Sequence, residues 1–283
     1  MKIIECPRDA MQGLHDFIPT SDKVRYINQL LKVGFDTIDF GSFVSPKAIP
    51  QLRDTAEVYG QLNWEASSSK LLAIIANTRG AKEAATFEGI SYLGFPMSIS
   101  ETFQQRNTNK SIAEALNELS EIKNICVGSG KQLVTYVSMG FGNPYNDPYE
   151  VDLVGKFVDV LVTVGSDVIS LSDTIGVSTP QNIKYLFASL SKAYPSIEIG
   201  VHLHSNPVTA LEKIEAAYQS GCKRFDGAIK GLGGCPMAKD DLVGNMATET
   251  ILLYLKEKGV TNDIKEEEFV KAMQLATEIF PTH

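Results

Sequence analysis

The run Val201-His202-Leu203-His204 sets two imidazoles two residues apart. On a β-strand that spacing turns both side chains to one face. Two imidazoles on one face can share a divalent transition metal. At the other end of the chain, Arg8-Asp9 follows the apolar run Lys2 to Cys6 and puts a carboxylate beside a fixed cation. A fold that joins these two ends has a His-His-Asp metal site with a guanidinium next to it. The plainer alternative makes each histidine a rim or core residue satisfied by a backbone carbonyl, and Asp9 a turn or helix cap.

Further residues fit the same chemistry, each with a structural alternative. Asn245, in Gly244-Asn-Met-Ala-Thr-Glu249, is either a helix N-cap or an amide-oxygen ligand. Two imidazoles, a carboxylate and an amide oxygen suit Mg2+, Mn2+, Zn2+ or Fe2+, and spacing does not choose among them. Arg8 is a rim ion pair or a clamp on a developing oxyanion or enolate. Gly231-Leu-Gly-Gly-Cys235-Pro236 is a tight turn with a packed cysteine, or a mobile loop whose thiol moves a proton over bound substrate. It fits neither a dinucleotide-binding fingerprint nor a phosphate loop, because Pro236 stands where the last glycine belongs and no Gly-Lys-Ser/Thr follows. Asp39 and Asp173 are rim hydrogen-bond acceptors or carboxylates that orient ligands and water.

These residues need elements to hold them. Apolar, strand-like runs occur at Ile3–Cys6, Thr37–Phe40, Leu71–Ile75, Tyr92–Phe95, Leu133–Val137, Val168–Leu171, Ile197–His202 and Arg224–Ala228. Helical spacing lies between them at Ser21–Val33, Ile49–Tyr59, Gly80–Glu88, Ile112–Val127, Pro148–Val164, Pro180–Ala193 and Val208–Ser220. Thr179-Pro180 reads as a helix start, and Gly34, Gly89, Gly165 and Gly221 as helix ends. Strands that alternate with helices predict a parallel sheet. Eight such units in about 250 residues predict a (β/α)8 TIM barrel, in which catalytic groups sit at the C-terminal strand ends. Arg8 and Asp9, Asp39, Asn77, Ser138, Asp173, and His202 with His204 all stand at such ends. The tail from Asn245 to about Pro281 reads as the eighth helix plus an extra C-terminal helical segment. The whole of residues 1–283 is expected to be one catalytic domain.

Composition narrows the function classes. With 26 Lys+Arg against 34 Asp+Glu, the net charge of -8 and the lack of a basic cluster argue against nucleic acid. No apolar stretch is long enough to span a bilayer. The N-terminal run is too short for a secretory signal, being broken at Pro7-Arg8-Asp9. The four cysteines show no CxxC spacing and read as reduced thiols in a cytoplasmic protein.

Taken in order, the motifs resemble those of the 3-hydroxy-3-methylglutaryl-CoA lyase family, within a superfamily of metal-dependent barrels that includes isopropylmalate and homocitrate synthases. Pro7-Arg-Asp-Ala-Met-Gln12 is similar to the family's opening Pro-Arg-Asp-Gly-Leu-Gln. Ser42-Phe-Val-Ser-Pro-Lys47, Ser172-Asp-Thr-Ile-Gly176, His202-x-His204, Gly231-Leu-Gly-Gly-Cys-Pro236 and Gly244-Asn-Met-Ala-Thr-Glu249 follow in the family order. The resemblance implies metal ligation by Asp9, His202, His204 and Asn245, with Mg2+ or Mn2+ as the cofactor. It implies catalytic roles for Arg8, facing a thioester, and for Cys235, Asp39 and Asp173. Gln12, Ser42, Lys47, Asn107 and Asn109, with Lys239, are the expected contacts of an acyl-CoA substrate. A homodimer is expected by the same likeness.

The chain also departs from the family pattern. Asp39 replaces a more usual glutamate, Ser205-Asn206 replaces Asp-Thr, Cys6 replaces a glycine, and Met139 and Asn143 replace cysteines. No terminal cysteine follows, which argues against an intersubunit thiol switch. The implied activity is cleavage of 3-hydroxy-3-methylglutaryl-CoA. The alternatives are an acyl-CoA condensing synthase of the same superfamily, a lyase for a related 3-hydroxyacyl-CoA, and a non-catalytic acyl-CoA-binding barrel.

Overall fold

A computed structural model describes residues 1–234 and 243–281. The strands are β1 (Lys2–Glu5), β2 (Thr37–Ser42), β3 (Lys70–Ile74), β4 (Ile90–Ser98), β5 (Gln132–Ser138), β6 (Val168–Asp173), β7 (Glu198–Leu203) and β8 (Arg224–Gly227). They pair in parallel, in sequence order, and close on themselves through β1 and β8. This is the (β/α)8 barrel that the alternation predicts. Closure leaves no sheet edge and sets β1, β8 and β7 side by side.

The helices are α1 (Pro7–Gln12), α2 (Thr20–Val33), α3 (Thr55–Tyr59), α4 (Thr78–Ala85), α5 (Glu101–Thr108), α6 (Ile112–Ser129), α7 (Val151–Val164), α8 (Pro180–Ala193), α9 (Ala210–Gln219), α10 (Thr248–Glu257) and α11 (Glu266–Ile279). The last is the extra C-terminal segment. It packs on α2, where Gln29 donates to the Glu268 carbonyl at 2.9 Å and Tyr26 meets Phe280 edge-on.

The elements depart from the sequence reading where side chains override the pattern. Residues 49–59 form a 3-10 turn and then α3, because the Thr55 hydroxyl ties back to the Leu52 carbonyl at 2.8 Å. Helix α9 starts two residues late. Asn206 accepts from the Val208 and Thr209 amides and holds that stretch as a turn. Strand β4 runs on past Pro96 because β3 ends opposite Gly94, and β4 continues on β5 alone. Helices α1 and α5 have no counterpart in the sequence reading.

The barrel has two apolar layers. The larger lies between strands and helices. The smaller fills part of the bore with Leu72, Ile74, Tyr92, Val134, Tyr136 and Val168. The rest of the bore is polar. Arg224, on β8, reaches Glu198 on the neighbouring β7 at 3.2 Å, and Gly200 leaves the room, since a Cβ there would lie 2.8 Å from the arginine stem.

Glu5 fastens the barrel's closure from outside. Its fully buried carboxyl accepts the Ile229 amide at 2.9 Å and meets the Thr248 hydroxyl at 2.6 Å. Burial pushes its pKa from 4.5 up to about 8 against those two hydrogen bonds. The folded state therefore holds a proton that the unfolded chain releases. The stabilisation is complete below the unfolded value and is lost as pH rises through about 8. Denaturant midpoints measured from acid to alkaline pH should fall over that window in the parent chain. They should fall less in a Glu5→Gln variant, and equal slopes would show that Glu5 is not the proton site.

Candidate active site

Pro7 at the first helical position starts α1 directly after β1. Arg8 and Asp9 thus lie on a turn of helix facing the bore, where the sequence reading has them simply following the strand. Arg8 is clamped on both sides. Its Nε and Nη2 donate to Asp39 Oδ2 at 3.0 and 2.5 Å. Its Nη1 donates to Asp9 Oδ1 at 2.7 Å and to Gln12 Oε1 at 2.9 Å. Gln12 also donates to Asp9 Oδ1. A guanidinium has five N–H donors, so one Nη2 hydrogen remains for a ligand.

Asp9 Oδ2 accepts from Asn245 Nδ2 at 2.6 Å and lies 3.8 Å from His202 Nε2. His204, just past the end of β7, forms an isolated bridge with Asn245. The two histidines do share a face, with their Nε2 atoms 3.3 Å apart. Asn245 spends its amide hydrogens on Asp9 and on the Leu232 carbonyl at 2.8 Å. Its amide oxygen is left as the atom able to ligate.

The electrostatics are uneven. Burial pushes the Asp9 carboxyl up, but Arg8, both histidines and Asn245 outweigh it and hold it at about 2. Burial dominates at Asp39 and raises it to about 6 despite Arg8. The Arg8 guanidinium is held charged by Asp39 and Asp9 against burial. Burial lowers both imidazoles. Asp226 and Asp9 return His202 to above its ordinary value, whereas His204, beside His202, stays below.

The donor set fits a cation. His204 Nδ1 faces the Val243 carbonyl at 2.8 Å. A neutral ring therefore carries its proton there and leaves Nε2 bare. Ligand atoms of Asp9, His202 and His204 lie within 4.8 Å of one another, all buried. Such a convergence of electron-rich atoms is relieved by a metal ion.

A cavity of about 450 Å³ opens above these residues. Arg8, Asp9, Gln12, Ser42, His202 and His204 line its floor. Asn107 and Asn109 line it from the end of α5, with Arg106 and Lys110 beside them. Asn77, Ser138, Ser172 and Thr174 bring in the other strand ends.

Three expected site residues stand apart. Lys47 is exposed and is not among the lining residues. Asp39 lies beneath Arg8 rather than in the cavity. Asp173 accepts the Val177 and Ser178 amides at 2.8 and 2.9 Å and the Lys213 ammonium at 3.0 Å. Lys213 also donates to the His204 carbonyl at 3.0 Å, so Asp173 acts on the site through the backbone of a histidine. Cys235 and Lys239 lie outside the described residues.

The HMGL-like family model matches residues 2–276. The chain belongs to this family. It is 35% identical to the hydroxymethylglutaryl-CoA lyase of Bacillus subtilis, over 94% of this chain and 88% of that protein. It is 32% identical to the cytoplasmic 3-hydroxy-3-methylglutaryl-CoA lyase of Rattus norvegicus, over 96% of this chain and 79% of the relative. The structure of an HMG-CoA lyase from Acinetobacter baumannii, in complex with coenzyme A and 3-methylmalate, superposes with a TM-score of 0.91 at 30% identity. It covers 99% of this chain and 90% of that one.

Within the HMGL-like site, sequence reasoning missed Tyr136, Lys213, Asp226 and α5. Tyr136 sits in an apolar strand and looks like core, yet it lines the cavity and meets the His202 ring edge-on at 5.8 Å. Lys213 is one charge on an amphipathic helix. Only the local run of Ser and Asn before Thr209 hinted that this corner is irregular.

Gly233 holds the ligand loop close. Its φ is +94°, and a Cβ there would lie 2.5 Å from the Asp9 carbonyl and 2.8 Å from Asn245 Nδ2. A Gly233→Ala change meets both a strained backbone and a collision. Divalent-cation affinity, read by calorimetric titration with Mn2+, should fall by about tenfold or more. Unchanged affinity would show that this approach does not position Asn245.

Proposed function

We propose that the chain is a carbon–carbon lyase that cleaves 3-hydroxy-3-methylglutaryl-CoA to acetoacetate and acetyl-CoA. The observation that carries the reading is a single buried cluster in a chain of this family: Arg8, Asp9, His202 and His204 line a cavity, and Asn245 is hydrogen-bonded to Asp9 behind them. The condensing-synthase reading uses the same cluster, but the relatives reported above are lyases.

Asp9, His202, His204 and the Asn245 amide oxygen would hold a divalent cation, with Mg2+ or Mn2+ proposed. That ion, when bound, polarises the tertiary alcohol and eases loss of its proton. Arg8 is aimed at the other half of the reaction. As the carbon–carbon bond breaks, its electrons pass into the thioester and leave an acetyl-CoA enolate. The free Nη2 hydrogen of Arg8 is available to that oxyanion. Asp39, Asp9 and Gln12 fix the guanidinium, so no reorganisation is required as charge develops. Cys235 is proposed to deliver the last proton to the enolate carbon, and the proton given up by the alcohol restores the thiol, so that the step is proton-neutral overall. The described residues just before it support this: Leu232 accepts from Asn245, and Gly233 abuts Asp9. Gln12 and Ser42 would contact the acyl group, and Asn107 and Asn109 the CoA chain at the mouth. Lys47, exposed beside the mouth, would reach only the outer part of the CoA.

A homodimer is proposed by likeness to the family. A cytoplasmic location is proposed on the free, buried Cys6, Cys126 and Cys222, which suit a reducing compartment. No helix among the described residues is long and apolar enough to cross a membrane.

Purified chain treated with EDTA should release no acetoacetate from the substrate, and added Mg2+ or Mn2+ should restore release. A folded protein inactive with every metal would overturn the assignment. Arg8→Gln should keep its metal and lose about 100-fold or more in kcat, the usual cost of an oxyanion donor. Near-normal turnover would remove Arg8 from the enolate step.

A further inference from the structure

His202 belongs to two groups at once. On one side lie Asp9 and His204; on the other lie Cys6 and Asp226, again with ligand atoms within 4.8 Å of one another. A neutral imidazole can offer a lone pair to only one side, because its other nitrogen carries the proton. The tautomer of His202 therefore decides whether the cation cluster is complete. His204 does not decide it, since its bare Nε2 could accept a proton from His202 Nε2 across the 3.3 Å between them. That arrangement would block the ligand position.

We propose that Asp226 is a positioning residue that fixes His202 as the Nδ1–H tautomer and so presents Nε2 to the cation. Asp226 stands on β8, beside His202 in the register of β7 with β8. Its Oδ2 lies 3.4 Å from His202 Nδ1. That is long for an N–H···O bond, but Asp226 is the hydrogen-bond partner of this nitrogen among the described residues. Tyr136 meets the same ring edge-on at 5.8 Å and packs against it from the apolar side of the bore. The Cys6 thiol, in the same group, donates to the Ile4 carbonyl at 3.8 Å, and its sulfur is a weak acceptor beside a carboxylate.

The surroundings give this carboxylate no other full use. Asp226 is 2% exposed, and its Oδ1 has no hydrogen-bond partner. The nearest guanidinium nitrogen, Arg224 Nε, is 3.8 Å away and is itself unpartnered. The Ser170 hydroxyl reaches Oδ2 only at 3.4 Å. A buried carboxylate so loosely paired costs stability, and a carboxylate behind a metal-binding histidine is a recurrent orienting device.

This inference rests on reading Asp9, His202 and His204 as a metal site, and the test separates the two. The chain has four histidines, so 15N-labelled imidazoles give a readable spectrum. At about pH 9, above the ordinary imidazole range, metal-free protein should show His202 protonated at Nδ1 and bare at Nε2. The opposite tautomer would overturn the proposal without any variant. For variants, Mn2+ binding is titrated by electron paramagnetic resonance. Asp226→Asn keeps an acceptor oxygen and should bind within about threefold of the parent. Asp226→Ala should bind about 10- to 100-fold more weakly, with kcat at saturating Mn2+ changed less. A merely structural role would lower the melting temperature of both variants alike and would not rank their Mn2+ affinities by acceptor. Equal affinities in folded Asp226→Ala and parent would overturn the proposal. A parent that binds no Mn2+ would instead overturn the metal reading.

Discussion

The site depends on the buried carboxylate of Asp9. One oxygen takes hydrogen bonds from Arg8 and Gln12, on its own helix; the other takes one from Asn245, at the far end of the chain. Burying a carboxylate is costly unless its lone pairs are met, and breaking such a set leaves a bare charge. The cluster is therefore cooperative. Arg8 is held in one orientation because Asp9 and Asp39 clamp it, and Asn245 faces the cluster because Asp9 receives its amide. The carboxylates outnumber the guanidinium at this end of the bore. That imbalance marks a place where added positive charge stabilises the fold as well as enabling chemistry.

Closure of the barrel makes this economy possible. Asp9 and Asn245 are separated by nearly the whole chain, yet β1 pairs with β8 and β8 with β7. Glu5 links β1 to Ile229 and Thr248, on either side of the ligand loop. The His204–Asn245 bridge then sets the loop's return against β7. The clustered side chains are thus tied to the barrel itself: Asp9 through α1 directly after β1, and His204 and Asn245 through the bridge at the end of β7.

The parts legible in the sequence were those with short-range periodicity. Two-residue alternation put His202 and His204 on one face, and apolar runs found the strands to within a few residues. Helix α1 was missed because six residues carry no repeat, and α5 because its polar sequence has scarcely any apolar stripe. Charged residues that act through distant partners were silent for another reason. Glu5, Lys213 and Asp226 belong to no local motif, and their partners lie far away in sequence. Arg224-Phe-Asp-Gly227 looked like an ordinary strand, but its two charged residues face the bore, where a sequence pattern predicts apolar ones. Asp39 was expected at a strand end, but β2 runs on to Ser42, and the place of Asp39 beneath Arg8 needed the three-dimensional register.

The bore itself is divided, and the division has a chemical use. Strands β3 to β6 contribute an apolar wall of Leu72, Ile74, Tyr92, Val134, Tyr136 and Val168. Strands β7 and β8 contribute a polar column of Glu198, Arg224, Asp226 and His202, which reaches Lys2 at the bottom. Low polarisability on one side strengthens hydrogen bonds on the other. At the bottom, Lys2 and Glu198 are partly exposed and relax the charges with solvent. Higher up no such relaxation is available, and Asp226 and Arg224 remain only loosely paired. A core selected for stability alone would replace them with apolar side chains. The place of Asp226 directly beside His202 argues that the loose pairing with Arg224 is kept because one oxygen of the carboxylate faces the histidine at the upper end of the same column.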